Sequence, residues 1–390
     1  MDLQSILGAA ALPYWLIAPA FLFVITIIIV VHELGHYFAA RACGVSVAAF
    51  SLGMGPEVAS YTSRSGTRWR LAWLPIGGYV RWVDDDNASS VPTSSETVAN
   101  ERATASPEVR SRFYHLKPVW QRAIIAAAGP IANFLLAIAI FTVFAIATGE
   151  VQRPVSVDQV VPGLPAALAG LQKGDIILSV NGTPLPNFER LSLIVSTSAD
   201  RVLDLAVNRG GQALIIKVTP KLMDEKDILG GNAQVGKIGI QQLGNDEAPT
   251  VRPVGAVEAL QLGYVKTKLL MEAVQRGLWD LVVGRQSLCA IAGPTKMAEA
   301  AGKVASYGLD KLINFLAFIS IAIGISNLLP IPILDGGHLA FYAIEAVRGK
   351  PLSNRTQEIA FRIGLAILLM LLVVTLVNHA TGCVRPTLAG

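Results

Sequence analysis

Residues 30–40 read VVHELGHYFAA and place two histidines and a glutamate at the end of a run that is otherwise almost wholly apolar. His32 and His36 are four positions apart, so on a helix they lie about 40° apart on one face and both imidazoles can reach a single metal ion. Glu33 projects beside that pair, where it can take a proton from an attacking water. The pattern His-Glu-x-x-His arises by chance in many chains. Its setting gives it weight, because ionisable groups inside an apolar span are costly unless they are paired, coordinated or turned toward a polar cavity.

A catalytic zinc usually takes three protein ligands and keeps a fourth position for water. The remaining histidines are His115, His338 and His379. His115 falls in a polar loop and His379 at the far end of the last apolar stretch, so neither is well placed. Asp335, in NLLPIPILDGGH (327–338), is better placed. It follows an apolar stretch broken by Pro330 and Pro332, and irregular backbone at membrane depth is tolerated only where protein buries it or it lines a wet cavity. His338 competes for the ligand role; its other reading is a histidine at the membrane interface.

The elements that must hold these residues are membrane spans. The 390 residues are 52% hydrophobic and 15% charged, with a mean hydropathy of +0.51, far from the balance of a soluble domain. Four stretches, 14–37, 123–147, 312–334 and 359–377, have about the 20 apolar residues that a span requires. The first has no Lys or Arg before it and carries ionisable groups, so it reads as a retained span and not a signal peptide. Basic residues near the spans set the orientation. Arg41, Arg64, Arg68, Arg70, Arg81, Arg112, Lys117 and Arg122 lie between the first two spans, and Arg348, Lys350 and Arg355 between the last two. Both connections are predicted to be cytoplasmic, with the two termini and the long insertion outside and the histidines toward the cytoplasmic side. This asymmetry accounts for the net charge of +4. No basic stripe interleaved with aromatics is present, so a nucleic-acid partner is not expected. Cys43, Cys289 and Cys383 have no Cys-x-x-Cys spacing; a Cys289–Cys383 disulfide is allowed by the topology.

The expected organisation is an N-terminal membrane core (1–148), an external domain (149–243), an external juxtamembrane region (244–308) and a C-terminal membrane core (309–390). Within the first, 45–118 is predicted to hold a cytoplasmic loop and a short β-hairpin or sheet at TRWRLAWLPIGGYVRW (67–82). Residues 84–111 are polar and poor in aromatics, as in a linker. Residues 252–285 carry a helical apolar rhythm suited to a membrane surface. VVPGLPAALAGLQKGDIILSVNGTPL (160–185) runs strand, turn, short helix and strand, and resembles a PDZ domain of the bacterial, circularly permuted kind. The insertion has room for one such domain. Ile238, Gly239 and Ile240 are its candidate peptide groove or, alternatively, a closing strand.

Taken in order, HELGH in the first span, GPIAN (129–133) in the second, a PDZ-like insertion, and NLLPIPILDGG near the end of the third resemble the site-2 protease family of intramembrane zinc metalloproteases, in its bacterial RseP-like branch. The fold class implied is a polytopic α-helical membrane protein with four transmembrane helices, a membrane-associated β-sheet and one inserted α+β PDZ domain. The resemblance makes His32, His36 and Asp335 ligands of one Zn2+ and Glu33 the general base. It gives Asn327 a part in substrate handling and makes Gly129 and Asn133 a packing motif. Residues 67–82, with Gly77, Gly78 and Tyr79, fall where the family pairs its sheet with an extended substrate. Implied substrates are single-span membrane proteins already trimmed by another protease, such as anti-sigma factors, and remnant signal peptides, in the bilayer of a bacterial inner membrane. Two departures stand out: one PDZ domain where the well-known enterobacterial member has two, and Ala322 where some relatives have a second asparagine. The competing classes are a metal transporter, which predicts ionisable groups in several spans, and a catalytically silent PDZ scaffold, for which Glu33 would be dispensable.

Overall fold

A computed structural model describes residues 14–83, 104–152, 154–226, 232–242, 250–284 and 293–380. The chain divides into two compact units, Met1–Ala137 with Ala292–Gly390, and Ile138–Ile291. Among the described residues, four helices are long and apolar enough to cross a membrane: Trp15–Ala42, Val119–Thr148, Leu309–Asn327 and Arg355–Asn378.

Helix α1 (Tyr14–Ala42) is rich in β-branched and aromatic residues, which are mediocre helix formers in water. In lipid the backbone has no partner but itself, and the same run is helical. It ends in a Schellman arrangement: Val45 N–H donates to Ala40 O at 2.8 Å, Gly44 N–H to Arg41 O at 3.0 Å, and Gly44 takes a φ of +76°. Strands β1 (Val47–Thr62) and β2 (Arg68–Trp82) follow. Both bend, and their register pairs residues 49–52 with 68–71 on one side and with 78–81 on the other, while 57–62 pairs with 68–72. The segment order is therefore 57–62, 68–72, 49–52, 78–82, with the last at an edge among the described residues. The sequence reading puts β-structure at 67–82 and leaves its partner, 47–62, unassigned. Ala40, Val45, Val47 and Ile125 form a buried cluster under the sheet, with Tyr37, Val80 and Trp82 packed against it.

Helix α2 (Val119–Thr148) crosses α1 closely, because Gly35 has no side chain: a Cβ there would lie 2.4 Å from Ala128 O.

In the second unit, β3 (Val155–Ser156), β4 (Ile176–Val180), β5 (Leu203–Arg209) and β6 (Gln212–Val218) form an antiparallel sheet in that order. Alternate residues Leu203, Leu205 and Val207 point into a core with Val157, Ile177, Leu191 and Val218. Helix α3 (Phe188–Ser196) covers that core with Leu191 and Val195 and is capped by Asn187, whose side chain accepts from Arg190 N–H at 3.0 Å. Helix α4 (Ala256–Val282) lies against residues 138–142, where a Cβ on Gly263 would be 2.4 Å from Thr142 Oγ1.

The first unit resumes with α5 (Pro294–Ser306), α6 (Leu309–Asn327), α7 (Asp335–Arg348) and α8 (Asn354–Ala380). Here the expected third span, 312–334, is corrected: the helix stops at Asn327. Pro330 and Pro332 supply no N–H, and the residues before them are driven out of helical conformation. Short turns such as Leu334 N–H to Ile331 O (2.8 Å) carry the chain to Asp335, which opens the next helix. Cys289 and Cys383 lie outside the described residues.

Candidate metal centre

His32 and His36 sit on one face of α1, as their spacing requires, and α7 delivers Asp335 to the same point. His32 Nε2 is 3.1 Å from His36 Nε2 and 3.1 Å from Asp335 Oδ2, and His36 Nε2 is 3.4 Å from Asp335 Oδ1. Two imidazole lone pairs and a carboxylate brought this close repel one another unless a cation or proton stands between them. With metal–ligand bonds of about 2.0 Å, the edge of a coordination tetrahedron is about 3.3 Å; the His32–His36 spacing is close to that, each histidine is as close to one of the two carboxylate oxygens, and one donor atom from each residue falls within 4.8 Å of the others. The side chains are 11%, 12% and 19% exposed, which leaves a narrow opening rather than a sealed site.

Two further features suit a metal. His36 Nδ1 is 2.7 Å from Ile125 O, and since a carbonyl only accepts, the proton is on Nδ1 and the Nε2 lone pair faces the cluster. Gly129 of α2 borders the same space: a Cβ there would lie 2.4 Å from His36 Nε2 and 2.7 Å from His32 Nε2. A methyl group would fill the place the donors converge on.

Residues 20–371 match the family model described as Peptidase family M50. The chain belongs to peptidase family M50. A Mesorhizobium japonicum protein named as a zinc metalloprotease is 40% identical over 366 residues, covering 93% of this chain and 98% of its own. Metalloprotease MmpA of Caulobacter vibrioides is 37% identical over 367 residues, covering 89% and 91% of the two chains. A Nostoc relative, also named as a zinc metalloprotease, is 34% identical over 368 residues, covering 92% and 94%.

The other residues expected to act in this M50 peptidase are placed variously. Glu33 lies beside the cluster, with the main chain of Val80 near its carboxylate. Gly78 packs on it: a Cβ would come within 3.2 Å of Glu33 Cγ. Gly77, with φ +86°, allows the bend into that edge, and Tyr79 receives Arg70 Nη1 on its hydroxyl at 2.6 Å. Asn327 is the last residue of α6, half-buried. His338 is outside the donor cluster and tilts toward Tyr342, ring centroids 6.4 Å apart. In the second unit Ile238 is buried in the core, its carbonyl accepts from Ala166 N–H, and Ile240, in the short strand Ile240–Gln241, pairs with Val160. Gly239 lies under Leu164.

The sequence reading misses what steadies α7. Arg122 near the start of α2 makes a buried two-pronged ion pair with Glu345, Nη2–Oε1 at 2.6 Å and Nη1–Oε2 at 3.1 Å. Its guanidinium sits 4.9 Å from the Tyr342 ring centroid, and the Tyr342 and Tyr114 hydroxyls are 2.7 Å apart. Burial raises the Tyr114 hydroxyl well above the ordinary phenol range, so it stays a neutral partner. Glu345 lies ten residues, about 15 Å of helix, beyond Asp335. A carboxylate in a helical stretch gave no sequence signal of a partner 223 positions away.

Proposed function

We propose that the chain is a zinc-dependent intramembrane endopeptidase that cleaves single-span membrane proteins within their membrane-spanning segment. The observation that carries this reading is the convergence of His32, His36 and Asp335 beside Glu33, about 27 Å along α1 from its start and hence close to one face of a ~30 Å hydrocarbon core. His32, His36 and Asp335 hold the metal. When bound, zinc supplies Lewis acidity, activating water toward a pKa of about 7 and polarising the scissile carbonyl. Glu33 accepts the proton of the attacking water and returns it to the departing amine nitrogen.

A helical substrate must unwind before its carbonyls can be attacked. The edge segment Gly78–Trp82 receives the unwound stretch by strand addition, with Gly77 turning the chain into that edge, and Asn327 contacts it from the end of α6. The inserted unit is a single PDZ domain (149–243) on the periplasmic side of a bacterial inner membrane, followed by a juxtamembrane region (244–308). It filters substrates by the size of their outer portion, which restricts cleavage to proteins already trimmed elsewhere, anti-sigma-factor-like proteins and remnant signal peptides among them.

The test is co-expression of a pre-trimmed single-span substrate with the wild type and with Glu33→Gln. Cleavage by the wild type alone, with zinc still bound in the variant, is expected. Equal cleavage by both would remove Glu33 from the mechanism.

A further inference from the structure

His36 has its ring fixed by the Ile125 carbonyl, but the partner at His32 Nδ1 is of another kind. What stands there is the side chain of Asn133, fully buried, with Nδ2 3.3 Å from His32 Nδ1. The other carboxamide atom, Oδ1, is buried with no hydrogen-bond partner among the described residues. In this orientation Nδ2 could donate only to a lone pair on Nδ1. That would put the ring proton on Nε2, the atom aimed at Asp335 and His36, and close it to a metal. A carboxamide turned by 180° has the same shape, and the turned form reverses the roles: His32 Nδ1–H donates to Oδ1 and the Nε2 lone pair faces the donor cluster.

The backbone at this point is also held. Ser320 of α6, fully buried, donates through Oγ to Asn133 O at 2.9 Å, so the helix turn that carries the carboxamide is tied to a third helix. Gly129, one turn earlier on α2, is the residue whose missing side chain leaves space between the two Nε2 atoms. The pair Gly129 and Asn133 thus faces the histidines, and its role is larger than helix packing.

We propose that Asn133 is the positioning residue of His32: its Oδ1 accepts the Nδ1–H, holding the ring in the one neutral form that can bind metal through Nε2. This rests on His32 being a metal ligand, as argued above. The contribution expected of such a partner is roughly 10- to 100-fold in metal affinity.

The test compares zinc affinity, by chelator competition on detergent-solubilised full-length protein, for the wild type, Asn133→Ala, Asn133→Asp and His32→Ala. Asparagine's acceptor function survives in aspartate and its donor function does not. Asn133→Asp is therefore expected to bind zinc within a few-fold of the wild type, while Asn133→Ala loses about 10- to 100-fold. A second readout needs no variant to fold: the ring-nitrogen chemical shifts of the zinc-free wild type, recorded where the imidazole is neutral, should show His32 as the Nδ1–H form. An Nε2–H ring in the wild type, or equal and large losses in the alanine and aspartate variants, would overturn the inference. His32→Ala separates the two levels: undiminished zinc affinity there would sink the ligand assignment itself, whereas its loss alongside an unaffected Asn133→Ala would sink only the role of Asn133.

Discussion

His36 and Ile125 are joined by a 2.7 Å hydrogen bond from the ring Nδ1–H to the main-chain carbonyl, across the interface of α1 and α2. No side-chain substitution at position 125 removes this acceptor, because it belongs to the backbone. The carbonyl of Ile125 lies near the start of α2, and the close crossing at Gly35 brings it within reach of the ring. The candidate metal centre is therefore an inter-helix structure, in which α1 carries the two histidines and α2 carries the Ile125 carbonyl and the glycine that border them.

Gly129→Ala is expected to abolish metal binding while leaving helix content intact. Alanine is the better helix former by about 1 kcal/mol, so the backbone gains, but the new methyl stands 2.4 Å from His36 Nε2. Metal content of the purified variant, measured beside its circular dichroism, should show zinc reduced at least about 100-fold in affinity with unchanged helicity.

Asp335 and His338 should separate cleanly. Asp335→Ala removes a donor and is expected to lose both zinc and cleavage, whereas His338→Ala, whose ring is outside the donor cluster, should retain a full equivalent of zinc. Zinc loss of equal size in both variants would return His338 to the ligand set.

The Arg122–Glu345 pair predicts a non-additive double mutant. Glu345→Met leaves a buried guanidinium without its partner and should cost about 3 kcal/mol of stability, with zinc weakened because α7 loses its hold. Replacing both residues by methionine should recover much of the stability. Unfolding midpoints of the two single variants and the double variant decide it; strictly additive losses would show that the pair acts as two independent side chains.

In the second unit, Arg209 holds the buried Asp175 carboxyl below the ordinary carboxylate range; burial opposes this, and the Gln172 N–H assists it. A carboxyl depressed on folding contributes stability that is present above its unfolded pKa of about 3.9 and is lost as pH falls through the folded value. Asp175→Asn should therefore unfold more readily than the wild type at neutral pH, with the gap closing below about pH 4. A gap that stays constant from neutral to strongly acidic pH would mean that the charge of Asp175 is not what stabilises the unit.

How much of this was legible in the chain depends on the range of the interaction. The four-residue interval between His32 and His36 and the apolar lengths of the spans are local, and helix geometry converts them directly into a shared face and a crossing helix. Asp335 was legible because two prolines announce broken backbone ahead of it, though the span drawn to residue 334 overran the helix end at Asn327. Segment 47–62 escaped because its small residues, the interruptions at Gly53, Gly55 and Pro56, and a bend blur its alternation, and only pairing with 68–82 makes it a strand.

By itself, then, the sequence marked His32 and His36 as a pair able to share a metal and placed them in an apolar helix long enough to cross a membrane, since both follow from periodicity and composition. Tertiary structure alone decided that Gly129 borders the two imidazole Nε2 atoms, that Asn133 faces His32, and that Arg122 finds Glu345. The physical reason lies in the solvent. Helices in lipid are apolar on every side, so no amphipathic pattern records which faces meet, and small residues and buried polar contacts make that choice only when the helices pack.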